Sequence, residues 1–566
     1  MSAPGQARRS RVVDTSASPH ARLRALSIAD VRLSDGFWEP RRRINRRETL
    51  PSQYEHLEET GRLDNFRRAS GKIAVPFRGL YFNDSDVYKW LEAASWSLAT
   101  DPDPDLERMV GAAITEIADA QRPDGYLNTY FTFERARERW TDFDLHEMYC
   151  AGHLIQAAVA HFRATGARRL LDVAVHFADH ICHLFGPEEE GKRPAVDGHE
   201  EIEMALVELF RATGDRRYLY QARYFVDARG HGLLGEPYGR FDPSYSQDHE
   251  PLRDQREVVG HAVRALYLYC GATDVYAEIG EPDLLDALRR LWRNMTTKRM
   301  YVSGGLGSRY EGEAFGGDYE LPNERAYAET CAAIAGVMWN WRLLLVSGEA
   351  RYADLMEHTL YNAVLPGISL DGRRYFYQNP LADDGTHRRR PWFGCACCPP
   401  NVARLLASLP GYIYCTSDDA VWVHLYAEGT AAVDLGDHAV RLAQRTDYPW
   451  DGNVEISVEE GGGEFGLMLR VPSWCEEGCT PVVNGEAMDA SFPPGSYAKV
   501  RRLWRAGDTV RLDLPMPVRR LESHPHVVEN AGRVALARGP LLYCVERADN
   551  PGLDPRDLVL PAYSNP

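Results

Sequence analysis

Up to about Cys415, apolar residues recur in helical rather than alternating register. Four times they follow one order: an almost wholly apolar run, a turn bearing glycine, then an amphipathic run. The turns lie in ATGARRLLDVAVHF, ATGDRRYLYQARYF, EIGEPDLLDALRRL and VSGEARYADLMEHTL, with Gly166, Gly214, Gly280 and Gly348. The runs before them, including HEMYCAGHLIQAAVAHF, IEMALVELF, HAVRALYLYC and CAAIAGVMWNWRLLL, are too apolar for surface helices. Those after them mix Leu171, Val173, Val175 and Phe177 with Arg, Asp and His, as an outer layer requires. A further pair is predicted at DVYKWLEAASWSLA and LERMVGAAITEIADA. Repeated hairpins of inner and outer helices, five or six in all, predict an (α/α)6 barrel over residues 25–415.

Beyond Cys415 the period becomes two. Val421, Val423 and Leu425 alternate with Trp422, His424 and Tyr426, and Phe465, Leu467, Leu469 and Val471 share one face. With turn signals at WDGN and NGEA, this predicts antiparallel strands packed as a β-sandwich over residues 416–566. The stretch from Leu26 to Trp38 is also strand-like and is expected to pair with that sheet from the other end of the chain. Residues 1–24 read as a disordered tail.

Charge narrows the functional classes. Sixty-five basic side chains against 82 acidic ones give −17, which argues against nucleic acid and anionic membrane surfaces as partners. The N-terminus has arginines but no apolar segment after them, and no uninterrupted apolar run reaches the roughly 20 residues that cross a bilayer. Eleven cysteines spread over 566 residues make a poor disulfide framework. A cytoplasmic protein with reduced thiols is expected.

Three of those cysteines, Cys395, Cys397 and Cys398, crowd into GCACCPPN. Thiols so placed in a reducing compartment point to a metal, and zinc asks for four ligands from thiolate, imidazole or carboxylate. Glu329 and Cys331, at the start of an apolar helix in ERAYAETCAAI, complete a Cys3Glu set with Cys397 and Cys398. A structural zinc site, a catalytic one and a merely buried Cys331 remain alternatives. A glycine-rich loop, GEAFGGDYELPN, brings three acids, Glu313, Asp318 and Glu320, just before that helix. His146, His199 and His261 each stand near the start of an inner helix, so a barrel would gather them at one rim. Tyr375 and Tyr377 in RYFYQNP could join them, and aromatic walls with hydrogen-bonding groups suit a sugar.

Together GEAFGGDYELPN, AYAETC, CACCPPN, HEMYCAGHLI and GLMLRVPSW resemble glycoside hydrolase family 127, a family of β-L-arabinofuranosidases with a zinc-bound cysteine. The resemblance runs from about Leu26 to about Glu546. It implies that Cys397 is both nucleophile and zinc ligand, that Glu329, Cys331 and Cys398 are the other ligands, and that Glu313 is the acid/base. It further implies that His146, His199, His261 and Tyr377 contact the sugar; Cys395 receives no role. The expected reaction is removal of a terminal β-L-arabinofuranosyl residue with retention, from a small or oligosaccharide glycoside, with Zn2+ as cofactor. Relatives commonly continue through more β structure than the end of this chain at LVLPAYSNP, so a shortened C-terminal region is expected. The rival readings are a hydrolase of another furanoside or branched pectic sugar on the same scaffold, and a non-catalytic carbohydrate-binding protein with structural zinc. Oligomeric state is open, a homodimer being one alternative.

Overall fold

The computed structural model describes residues 10–234 and 242–562. Helices fill the first part of the chain and strands the last. Six helices among the described residues are buried almost throughout: α1 (Asp84–Thr100), α2 (Glu147–Thr165), α3 (Ile202–Thr213), α4 (Ala262–Ile279), α5 (Thr330–Ser347) and α6 (Cys398–Ser408). Each packs against the next, and α6 returns to α1, so they close a ring. Amphipathic helices at Pro104–Ala120, Arg169–Leu184, Arg216–Ala228, Pro282–Lys298 and Ala350–Thr359 lie outside it. Helix α5 is long and apolar enough to cross a membrane, but 94% of it is buried inside the protein, as an inner helix of the ring must be.

The four glycine turns are formed as the repeat predicts. Gly166, Gly214, Gly280 and Gly348 each take positive φ directly after an inner helix and donate their N–H to the carbonyl four residues back, at 2.7 to 2.8 Å. That left-handed step satisfies an orphan carbonyl and turns the chain back, and glycine adopts it without a Cβ clash. Helix α6 was legible in the sequence only as the cysteine cluster. Pro399 and Pro400 occupy its first turn, where no N–H donor is required, so the prolines fix its start rather than break it.

The expectation of a disordered tail over 1–24 does not hold for residues 10–24; residues 1–9 lie outside the described residues. The segment crosses the ends of the inner helices opposite the cysteine cluster and caps them. His20 N–H donates to Ala277 O, Arg22 and Leu23 N–H both reach Leu345 O, and the Ser10 hydroxyl donates to Arg163 O. These carbonyls belong to last turns that lack partners within their helices. The chain then pairs Arg24–Ala25 with Cys415–Thr416, and Val31–Leu33 with Gly429–Ala431. The stretch from Leu26 to Trp38 therefore reaches the sheet only through a short segment.

The strands form two layers joined by one long strand, Asn453–Val471. Its first half pairs with Ala439–Arg445 and Thr509–Asp513; its second half pairs with Ser496–Arg505 and, in parallel, with Ala420–Val423. It changes layer at Gly461-Gly462-Gly463. A Cβ on Gly461 would stand 2.1 Å from the Ala439 carbonyl oxygen, so a side chain there is excluded. A separate three-stranded sheet, Val518–Leu521, Ala535–Arg538 and Leu541–Tyr543, ends the described chain.

Arg470 fastens the strands to the helices. It is fully buried, donates to Asp354 Oδ1 at 2.6 Å and to His424 O at 2.6 Å, and also pairs with Glu357. Substituting Arg470→Met should cost about 3–5 kcal/mol, because two buried carboxylates lose their cation. A thermal unfolding midpoint equal to that of the unaltered protein would refute this role.

Candidate active site

Every expected site residue except Tyr377 and Glu313 sits at the N-terminal rim of the helix ring or in the first turn beyond it. His146 is the N-cap of α2, His199 precedes α3, His261 is the N-cap of α4, Glu329 the N-cap of α5 and Cys397 the N-cap of α6. Helix N-termini present free N–H groups and positive dipole ends, so this rim favours carboxylate and thiolate. His146, Glu313 and Ala328 have left-handed backbones at φ 63°, 53° and 41°. Each costs roughly 1–2 kcal/mol for a non-glycine residue, and here the strained positions carry or adjoin the site chemistry.

Glu329, Cys331, Cys397 and Cys398 converge although 65 residues lie between Cys331 and Cys397 in the chain. Their ligand atoms all lie within 4.8 Å of one another. Cys331 and Cys398 sulfurs stand 3.3 Å apart, Cys397 and Cys398 3.7 Å, and Glu329 Oε1 is 3.5 Å from Cys397 Sγ and 3.7 Å from Cys398 Sγ. A tetrahedral zinc with bonds of about 2.3 Å to sulfur and 2.0 Å to oxygen requires edges of about 3.8 Å and 3.5 Å. The Cys397–Cys398 edge and both Glu329 edges lie within about 0.2 Å of those values, the Cys331–Cys398 edge is about 0.5 Å short, and all are far too long for disulfides. Glu329 is buried, and its Oε2 has no protein partner among the described residues. A carboxylate so placed is costly unless a cation compensates it.

Electrostatics in the cluster point the same way. Burial, followed by the charges of Cys397 and Glu313, pushes the Glu329 carboxyl well above its ordinary value, and burial does the same to the Cys398 thiol. Burial also works to raise Cys331, yet hydrogen bonds from Cys397 and Cys398 bring it down to about 7. Ionising these buried groups together would call for a cation. The buried ammonium of Lys89 contributes at a distance; it donates to the Tyr149 hydroxyl at 2.6 Å. Asn401, on α6, donates to Cys331 Sγ at 3.0 Å. Neither was legible as a site residue, because their positions depend on α1 and α6 meeting at the same rim.

Glu313 stands beside this cluster. Its Oε2 lies 3.0 Å from His261 Nε2 and 3.4 Å from the Tyr377 hydroxyl, and ligand atoms of His261, Glu313 and Glu329 fall within 4.8 Å of one another. His261 Nδ1 accepts the Arg264 backbone N–H at 3.2 Å, so the neutral ring carries its hydrogen on Nε2 and donates it to Glu313. Burial acts to raise Glu313, but its contact with His261 outweighs that and holds it below its ordinary value. The other two acids of the loop are structural. Asp318 pairs with Lys298 and Arg299, and Glu320 pairs with Arg309 and accepts the Gly317 N–H at 2.9 Å.

The imidazoles form a chain along the rim, with ring centres 5.2 Å apart for His146 and His199 and 5.4 Å for His199 and His261. His146 Nδ1–H donates to Asp144 O and His199 Nδ1–H to Glu200 O, which leaves Nε2 of each as an acceptor. Burial keeps both neutral, His146 down to about 3 and His199 well below the usual range. Phe82 stacks on His146 and Tyr149 packs against His199, aromatic neighbours that sequence reading missed. The two tyrosines face different surroundings. Tyr375 turns away, accepting from Gln53 and donating to Gly372 O, whereas Tyr377 reaches Glu313 and lies 3.7 Å from Cys395 Sγ. Cys395 in turn is 3.9 Å from Cys397, outside the four-ligand set.

A carboxyl beside a thiol cluster, with imidazoles and aromatics along the rim of a helix ring, supplies the groups that acid-assisted cleavage of a glycosidic bond uses. Models of the β-L-arabinofuranosidase GH127 catalytic and middle domains match residues 30–411 and 420–516, and that of the glycoside hydrolase family 127 C-terminal domain matches 518–565. The chain is 41% identical over 530 residues to the non-reducing end β-L-arabinofuranosidase of Bifidobacterium longum subsp. longum, covering 86% of this chain and 79% of that one. The crystal structure of a GH127 β-L-arabinofuranosidase from Geobacillus stearothermophilus T6 is 45% identical, with a TM-score of 0.89 and coverage of 92% of this chain and 87% of that one. A second GH127 β-arabinofuranosidase structure is 40% identical, also with a TM-score of 0.89, over 94% and 86% of the two chains. The chain belongs to glycoside hydrolase family 127.

Proposed function

We propose that this enzyme is a retaining exo-acting β-L-arabinofuranosidase built on an (α/α)6 barrel, with Cys397 as nucleophile and Glu313 as acid/base. The observation that carries the reading is the convergence of Glu329, Cys331, Cys397 and Cys398 directly beside Glu313. The relatives' arabinofuranosidase activity supports the sugar.

The four converging residues would hold zinc, which when bound keeps the thiols ionised and makes sulfur a better leaving group than a free thiolate. Cys397 Sγ bonds to the anomeric carbon as the glycosidic C–O bond breaks, and Glu313 delivers its proton to the departing oxygen. In the second step Glu313 takes a proton from water, whose oxygen displaces sulfur at the same carbon. Two displacements restore the starting configuration.

The hydrogen bond from His261 favours the base form of Glu313, the form that the second step uses. For the first it must be protonated. Ligation would require an ionised Glu329, whose charge then stands within 4.8 Å of Glu313. A like charge so close raises Glu313 toward the acid form. Neutral His146 and His199 offer Nε2 to sugar hydroxyls, and Tyr377 and His261 orient Glu313.

A screen of nitrophenyl furanosides and pyranosides with the purified protein should show hydrolysis of the β-L-arabinofuranoside with retained configuration in the first product. An inverted product, or cleavage of pyranosides alone, would refute the reading. Metal analysis should give about one zinc per chain, reduced to near zero in Cys331→Ala. Unchanged zinc content in that variant would remove Cys331 from the ligand set.

A further inference from the structure

Helix α4 is largely apolar, yet its first turn carries an arginine, in HAVRALYLYC. Arg264 is only 3% exposed. Its Nη1 stands within hydrogen-bonding reach of acceptors from three separate loops: Asp144 Oδ1 at 2.9 Å, Ser246 Oγ at 2.8 Å and the Gly198 carbonyl oxygen. Two of those residues adjoin the histidines of the rim. Asp144 accepts from His146 Nδ1–H through its carbonyl, and Gly198 immediately precedes His199. We infer that Arg264 is a positioning residue for sugar binding, whose guanidinium fixes His146 and His199 relative to His261. The inference rests on the arabinofuranosidase reading and names the residue that gives its sugar-contacting imidazoles one common register.

The geometry divides the work between side chain and main chain. The loops of His146 and His199 lie against each other: Gly198 N–H donates to Phe143 O at 3.2 Å, and a Cβ on Gly198 would stand 2.7 Å from Asp144 Cα. The guanidinium reaches both loops where they meet. The Arg264 backbone N–H serves the third imidazole, donating to His261 Nδ1 at 3.2 Å. Tyr245 completes the link, with Arg264 Cζ 4.3 Å from its ring centre and its carbonyl accepting the His261 N–H at 3.0 Å. Three histidines from three parts of the chain thus depend on one residue for their mutual placement.

Stability is a poor reason for this arrangement. The side chain of Asp144, which pairs with the guanidinium, is 42% exposed, and ion pairs open to water contribute little, whereas burying a guanidinium is costly. Arg264 Nε is buried with no protein partner among the described residues. What the residue does supply is placement, together with charge. Burial first, and the Arg264 charge after it, press His146 and His199 toward the neutral form, in which Nε2 can accept a sugar hydroxyl.

The test is a mutant cycle in the full-length enzyme with nitrophenyl β-L-arabinofuranoside. Arg264→Met should raise KM at least about tenfold, the equivalent of 1.4 kcal/mol. It should leave kcat within about threefold, because the main-chain bond to His261, and Glu313 beyond it, survive the substitution. In a His146→Ala/His199→Ala background the same change should alter kcat/KM less than about twofold, since the groups it acts through are gone. A role in the scaffold alone would lower kcat with KM unchanged, equally in both backgrounds, and that result would overturn the inference. If Arg264→Met does not fold, Asp144→Ala cuts one of the three contacts at a half-exposed side chain and should raise KM about threefold at unchanged kcat; an unchanged KM there would overturn it as well. An unaltered enzyme inactive on every furanoside would overturn the arabinofuranosidase reading, whereas an active one whose variants keep their KM overturns the role of Arg264 alone.

Discussion

Replacing Cys397 with serine should lower kcat at least about a thousandfold on every glycoside, including activated nitrophenyl substrates; that is about 4 kcal/mol of transition-state stabilisation. The loss is general because the attacking atom itself is exchanged. An unperturbed thiol ionises near pH 8.5 and is far more readily held as an anion at neutral pH than an alcohol. At the N-cap of α6 and 3.5 Å from Glu329, Cys397 has one position from which to act, and no neighbour can substitute. Cys398 is fully buried, and the Cys395 sulfur stands 3.9 Å from that of Cys397, outside the four-ligand set. A mechanism-based furanosyl inhibitor should leave one sugar mass on the peptide carrying Cys397, and none on Cys397→Ser. A fully active serine variant with the sugar on Glu313 or Glu329 would return the enzyme to a two-carboxylate scheme.

The second large effect separates leaving groups. Glu313→Gln removes the proton donor, so glycosides with poor leaving groups should lose about 10²–10⁴-fold in rate. A nitrophenyl glycoside needs little protonation and should still form the intermediate, which then lacks a base to activate water. Rapid mixing should therefore show a burst of nitrophenol followed by slow turnover. An equal loss on both substrates with no burst would strip Glu313 of the acid/base role. His261→Ala offers a check with a different signature. The group that donates to Glu313 at 3.0 Å would be lost, Glu313 would rise, and the basic limb of the pH profile for poor leaving groups should move to higher pH as the acid form persists further.

Several of these roles are anchored in short-range sequence features. The apolar runs closed by Gly166, Gly214, Gly280 and Gly348 specify inner helices and their turns, because burial on all sides and a left-handed cap are local requirements. The change to period two after Cys415 marks the strands for the same reason. The thiols of CACCPPN, with the glutamate and cysteine of AYAETC, were legible as a ligand set from the chemistry of zinc. The choice of Glu313 over Asp318 and Glu320, and of Tyr377 over Tyr375, came from the resemblance to the family and not from the chemistry of the residues. Residues two to seven positions apart have the same composition around them; they differ in which distant element they face.

What the sequence by itself determined is thus the inventory: which segments are inner helices, which are strands, and which side chains have the chemistry of a nucleophile, a ligand or an acid. The tertiary structure alone decided which of those side chains meet. Closing the ring brings six helix starts to one rim, and there Glu313 gains His261 while Asp318 and Glu320 are neutralised by Arg and Lys from the same neighbourhood. It also turned residues 10–24 into a cap for helix ends that no local pattern exposes. The physical reason is common to all of these: a hydrogen bond or ion pair over about 3 Å depends on where chains cross, and sequence periodicity carries only the direction each side chain faces along its own element.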